Sequence, residues 1–175
     1  MPLFGMNQGM QPIVGYNYGA GKKERILRTI RLGFSYSVIY GIFAITLFEL
    51  FPRPIFSLFT TEKELLQEGT QAMRIILSMM WLLGISISTT GIHQAMGKAR
   101  SAFVLSILRW VLLIVPLIII LPRIGGLGLD GIWLAFPIAD LMAALIALMV
   151  LHRTLHRSGI RKGFFRDMIF LKSRS

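Results

Sequence analysis

Residues 131–151 read GIWLAFPIADLMAALIALMVL, a run of 21 positions in which only Asp140 is ionisable. At 1.5 Å per residue, an apolar helix of that length measures about 30 Å, the thickness of the hydrocarbon core of a bilayer. Three further stretches repeat the pattern, at 32–51, 75–96 and 102–121. The chain of 175 residues holds 19 Lys and Arg and 8 Asp and Glu, and only Glu49, Arg109 and Asp140 of these fall inside the four stretches. Charged residues make up 15% of the chain, against roughly 25% in soluble domains. Continuous apolar blocks, with the charges swept between them, exclude a water-soluble protein. The fold class is all-α, a polytopic membrane helix bundle.

The net charge of +11 would raise nucleic acid as a partner in a soluble protein. Its distribution points instead to topology. Lys22, Lys23, Arg25, Arg28 and Arg31 precede the first span. Lys98 and Arg100 lie between the second and third, and Arg153, Arg157, Arg161, Lys162, Arg166, Lys172 and Arg174 follow the fourth. The alternate connections hold only the cations Arg53, Lys63, Arg74 and Arg123, and the first of them also holds the acids Glu62, Glu64 and Glu68. The positive-inside rule then makes the end of the N-terminal segment, the 97–101 loop and the C-terminal tail cytoplasmic. A basic tail of this kind also attracts anionic headgroups. No aromatic or glycine pattern for stacking bases accompanies it, so the lipid bilayer is the expected partner and nucleic acid is not. With no cysteine, disulfides and thiolate metal sites are excluded.

Residues 1–21 lack the cationic start of a signal peptide. Gln8, Gln11, Gly15 and Tyr18 fall on one stripe of a helix, Pro12 interrupts its hydrogen bonding, and Gly19 and Gly21 end it. This is expected to be the cytoplasmic half of a transmembrane helix. Residues 22–154 then carry the four spans, and 155–175 form a basic cytoplasmic tail. Residues 60–71 suggest a short external amphipathic helix capped by Thr61, with Glu64 three residues on. The second span has small or hydroxyl residues on two sides, Gly84, Ser88 and Gly91 on one and Ser86, Thr89, Thr90 and His93 on the other. Such faces let neighbouring helices approach closely or leave room for a cavity. Gly97-Lys98 repeats the glycine-then-cation ending of Gly21-Lys22. Gly125, Gly126 and Gly128 mark a turn, with no lysine to make a phosphate loop.

The candidate site residues follow from cost. Counted from the inner ends of their spans, Arg109 lies about 12 Å deep and Asp140 about 16 Å deep. A charge at such depth costs at least ~2.5–3.5 kcal/mol and seeks the bundle interior and a partner. Asp140 therefore reads as a cation- or proton-binding carboxylate, as the partner of Arg109, or as both. Arg109 has the alternative of snorkelling to the headgroups. Gln8, Gln11, Asn17 and Tyr18, with Tyr16, either line a substrate path or hydrogen-bond between helices, and Ser88 belongs with the path candidates. Pro12, Pro116 and Pro137 are kinks or hinges, the last two freeing the carbonyls of Leu112 and Trp133. His93 reads as a hydrogen-bonded bundle residue and Glu49 as a solvated one. No nucleophile triad, metal cluster or phosphate loop is present, so neither an enzyme nor a cofactor is expected.

The run PLFGMNQGMQPIVGYNYGAG at 2–21 resembles the multidrug and toxic compound extrusion (MATE) transporters, in particular their MepA-like bacterial branch, whose eighth helix ends in a QPxxGYNYGA motif. QAMGK at 94–98 resembles the end of that family's tenth helix. SILR at 106–109 with Pro116-Leu117 resembles the eleventh, and GIWLAFPIAD at 131–140 the twelfth. The resemblance runs from residue 2 to roughly 166. It implies the end of helix 8 plus helices 9–12 of a twelve-helix, two-lobed carrier, a C-terminal lobe fragment whose N-terminal lobe is missing. It further implies exchange of Na⁺ or H⁺ for organic cations and amphiphilic drugs by alternating access in a bacterial inner membrane. The N-terminal-lobe carboxylate tied to coupling in the family has no counterpart here, and neither does the acid that some branches carry in helix 10. Two alternatives remain open: a lipid-linked precursor flippase of the related superfamily, and a truncated membrane scaffold that transports nothing.

Overall fold

The computed structural model describes residues 2–160, and the part of the expected tail beyond residue 160 lies outside them. Among the described residues the chain is helical throughout, with no strand. The first helix, α1 (Pro2–Gly19), contains Pro12. It turns at Gly21 into α2 (Lys23–Leu50), which starts nine residues ahead of the apolar stretch because the cation-rich residues 23–31 continue the helix beyond the span. A short α3 (Pro52–Phe56) follows, opened by Pro52 in its first turn, where a missing N–H costs nothing.

The next span departs most from the sequence reading. The short amphipathic helix expected at 60–71 and the first part of the second stretch form a single element, α4 (Lys63–Leu77). The chain then passes through Ser78 and Met79 into a 3₁₀ turn at Met80–Leu82 before α5 (Leu83–Ala95). Thr61 does not cap α4. The capping position is Glu62, without a side-chain bond, and Thr60 Oγ1 accepts from the Glu62 N–H at 3.2 Å. The third span is likewise composite: α6 (Ala99–Ile107), a π-helical segment Leu108–Ile114, α7 (Val115–Ile120) and a 3₁₀ turn Leu121–Arg123. Pro116 falls in the first turn of α7, so the wide-turn segment before it absorbs the bond that proline cannot donate. The glycine turn, with Gly125, Gly126 and Gly128 all at positive φ, leads to α8 (Gly128–Arg157).

Four helical stretches, Lys23–Leu50, Lys63–Ala95, Ala99–Arg123 and Gly128–Arg157, are long and apolar enough to cross a membrane. Helix α5 sits at the centre, touching α1, α2, α6 and α8. Helix α8 turns an alanine ridge inward, Ala135, Ala139, Ala143 and Ala147, all buried at four-residue spacing. The opposite surfaces stay apolar and exposed, for example Ile39 and Phe43 on α2 and Leu145 and Met149 on α8, as lipid-facing residues do. Because lipid removes the hydrophobic drive between helices, close approach has to hold them together. Glycines supply it: a Cβ on Gly84 would stand 2.6 Å from Ser37 Cβ, and one on Gly41 would stand 2.7 Å from Trp81 Cα.

The glycine endings have one explanation. Lys22 N–H bonds to Asn17 O and Gly21 N–H to Tyr18 O; Lys98 N–H bonds to His93 O and Gly97 N–H to Gln94 O. Ile160 N–H to Leu155 O and Gly159 N–H to His156 O form a third copy that sequence spacing did not single out. These are Schellman motifs, and Gly21, Gly97 and Gly159 take the left-handed conformation that each requires.

Candidate functional site

The two deep charges meet. The π-helical segment carries Arg109 and faces α8, where Asp140 lies three residues after the buried Pro137. Arg109 Nε donates to Asp140 Oδ1 at 2.5 Å, with the two side chains only 12% and 2% exposed. The guanidinium also lies over the ring of Trp110, 4.4 Å from its centroid, a cation–π contact that strengthens where water is excluded. Leu113, Ile114, Ala139 and Ala143 form the apolar cluster of this helix pair, with Leu108, Leu117 and Phe136 packed against it.

The candidates on α1 and α5 lie elsewhere, around the larger core cluster that includes Met10, Val14, Ile30, Ile92 and Leu151. Gln11 Nε2 donates to Gln94 Oε1 at 3.1 Å, a link between α1 and α5. Asn17 is buried, and its amide donates to Ile13 O at 2.7 Å. Tyr18 packs on the core, whereas Gln8, Pro12 and Tyr16 are exposed. Ser88 is buried against α2, its Oγ 3.2 Å from Ser37 Oγ. Gly91 on the same face meets Asn7. The structure therefore joins Arg109 to Asp140 and Gln11 to Gln94, but it does not gather the candidates into one cluster.

The other face of α5 turns to α8. His93 is fully buried. Its Nδ1 lies 2.8 Å from Thr89 O and its Nε2 lies 3.0 Å from Thr154 Oγ1. A carbonyl only accepts, so Nδ1 carries a proton, and Nε2 shares its hydrogen bond with the threonine hydroxyl. His93 is thus the hydrogen-bonded bundle residue expected. Thr154→Val should leave Nε2 without a partner and cost about 1–3 kcal/mol. A lowered thermal midpoint in detergent checks this, and an unchanged one would show that the bond contributes nothing. Near the same end, Lys98 Nζ donates to Ser158 Oγ at 2.9 Å.

Sequence reasoning passed over Gln94, Ser37 and Thr154 as partners. Buried oxygens of Asn7, Asn17, Ser86 and Thr89 have no hydrogen-bond partner among the described residues. Among the described residues, no three His, Asp or Glu side chains gather where a metal could bind.

These features define a multi-pass helical membrane protein with an ion pair buried between two of its spans. The MatE family profile matches residues 1–120, and the chain belongs to that family. The multidrug export protein MepA of Staphylococcus aureus is 26% identical over 152 residues, 86% of this chain and 32% of the relative. The probable multidrug resistance protein NorM of Thermotoga maritima is 25% identical over 142 residues, 81% of this chain and 30% of the relative. The chain thus spans about a third of the length of the curated relatives it matches. Among solved structures, the MATE multidrug transporter DinF-BH superposes with a TM-score of 0.81 at 39% identity, over 98% of this chain and 36% of that one. An outward-facing MATE family transporter of the MOP superfamily gives a TM-score of 0.86 over 91% of this chain and 36% of that one. At 19% identity it shares the fold alone.

Proposed function

We propose that the chain is the C-terminal-lobe part of a multidrug antiporter, which exports organic cations and amphiphilic drugs in exchange for Na⁺ or H⁺ by alternating access. Its place is a bacterial inner membrane, with the ends at Gly21, Gly97 and Gly159 facing the cytoplasm, as the charge distribution argues. An N-terminal lobe completes the carrier. Membership of the MatE family and the names of the relatives support the transport reading.

The observation that carries the ionic part is the Arg109–Asp140 pair. A carboxylate held at the middle of a span is costly, and a structural lock alone could be replaced by apolar residues of similar volume. In this reading Asp140 exchanges its arginine partner for the coupling cation during the cycle. Pro137, and Pro116 beyond the π segment, are the points about which the helices bend. Gln8, Gln11, Asn17, Tyr18 and Ser88 contribute polar groups along the path between the lobes.

Asp140→Asn in the full-length protein keeps the side-chain size and removes the charge. Efflux of ethidium under an imposed Na⁺ or H⁺ gradient should fall about tenfold or more, as expected if at least ~1.4 kcal/mol of coupling passes through the carboxylate. Normal expression with unchanged gradient-driven efflux would remove Asp140 from the coupling mechanism.

A further inference from the structure

A cavity of about 700 Å³ opens at the end of the bundle where cations are scarce, between the last turn of α2, α3 and the middle of α4. Of the four cations at that end, two, Arg53 and Arg74, line it, together with Gln67 and Gln71 on the polar side and Leu50 and Ile75 on the apolar side. Arg74 Nε lies 3.5 Å from Glu49 Oε2, and both side chains are about half exposed at 54% and 41%. Among the described residues the Arg53 guanidinium and the Gln67 amide have no partner, and no hydrogen bond holds the Arg74 guanidinium. An arginine could have turned back onto the last carbonyls of α2, but Arg53 makes no such bond.

The walls are firm. The Phe56 ring lies against α4 at Gly69, where a Cβ would collide with it, and Pro52 and Pro54 stiffen α3. Gln71 Nε2 donates to Asp130 Oδ1 at 3.2 Å, tying the α4 wall to the start of α8. Exposed Leu50, Phe51, Leu58 and Phe59 crowd the same end. Large apolar side chains exposed at the end of a span rest on hydrocarbon and headgroups, which sets the cavity at headgroup depth.

We infer that this cavity binds the phosphodiester of a membrane phospholipid in the leaflet at this end, with its acyl chains lying against Leu50 and Ile75. Guanidinium forks match phosphate oxygens in geometry and charge, and even with Glu49 paired to Arg74 the two arginines leave a net positive charge that disfavours an organic cation. The site is therefore separate from any drug path and does not depend on the transport reading.

Native mass spectrometry of the full chain, released from detergent and titrated with phosphatidylethanolamine, tests it. That lipid carries no net charge, so the basic end of the bundle does not concentrate it. Arg53→Gln/Arg74→Gln should retain about fivefold fewer phosphatidylethanolamine adducts than the wild type, the loss of one or two charge-assisted hydrogen bonds. Arg53→Lys/Arg74→Lys should fall between the two, and diacylglycerol, which lacks the phosphate, should bind all three alike. Equal phosphatidylethanolamine occupancy in the wild type and the Gln variant would overturn the assignment. So would inorganic phosphate binding that depends on the arginines while lipid binding does not, which would mark a free-anion pocket. Circular dichroism reports whether each variant is folded, and the single Arg53→Gln variant, at an exposed and unpaired side chain, gives a smaller drop in the same direction.

Discussion

Arg109→Leu, with Asp140 left in place, should be among the most damaging single substitutions in the chain, costing about 3–5 kcal/mol of stability. The loss comes less from the missing bond than from what remains. Asp140 is 2% exposed and has no other partner among the described residues. The neighbours Leu113, Ile114, Ala139 and Ala143 offer no donor. The double substitution Arg109→Leu/Asp140→Leu should recover most of the loss, because two apolar side chains suit that cluster and no charge is stranded. Thermal unfolding in detergent of the two single variants and the double measures the coupling directly. A double variant as unstable as Arg109→Leu would mean that the pair contributes to packing in a way that leucines cannot replace. Stability and transport then separate: the double variant should fold, yet fail the gradient-driven efflux that the proposed role of Asp140 requires.

Gly84→Leu should come next. A Cβ there would already stand 2.6 Å from Ser37 Cβ and 3.3 Å from Ser37 O, so a leucine has to push α2 and α5 apart, and it takes the Ser37–Ser88 contact with it. Overpacking of this kind costs about 1–3 kcal/mol, and the upper end is expected because part of the obstacle is backbone. Gly9 is the internal comparison. Nothing lies within 4 Å of its Cβ position, so Gly9→Ala should be neutral or stabilising by up to roughly 1 kcal/mol through helix propensity. Thermal midpoints of the two variants, set against the wild type, check both. A Gly84→Leu protein that melts with the wild type would show that some other contact fixes the distance between α2 and α5.

Much of this architecture is legible in the sequence because the bilayer imposes a single length scale. The four apolar stretches sit, to within one residue, inside the four helical stretches long enough to cross, and depth counting sets Arg109 and Asp140 at similar depth. The same counting misplaces Gln11 and Gln94. Measured from Gly21 and Gly97 they lie ten and three residues in, about 10 Å apart in depth, yet they are hydrogen-bonded. Helix α1 simply runs further past α5 than equal ends would allow, and only helix packing sets that offset. The break at Met80–Leu82 and the π segment at Leu108–Ile114 were illegible for a related reason. Both are choices between nearly equivalent backbone hydrogen-bond registers, made by what the segment meets in space rather than by its own residues. Pro116 signalled a local disturbance, but not that the helix would widen ahead of it and carry Arg109 toward α8. Ser88 reads equally as a path residue or as a packing residue from spacing alone, and it lies against Ser37.

The three Schellman endings bear on the order of assembly. Each closes within six residues, from Asn17 to Lys22, from His93 to Lys98 and from Leu155 to Ile160. None needs another helix in order to form. The stopping points of α1, α5 and α8 are therefore settled as soon as each segment emerges during synthesis, while the pairs that bridge helices, Gln11 with Gln94 and His93 with Thr154, must wait for partners 83 and 61 residues away. Helix lengths come first and helix neighbours later. An error in the second stage leaves helices of the correct length in the wrong company.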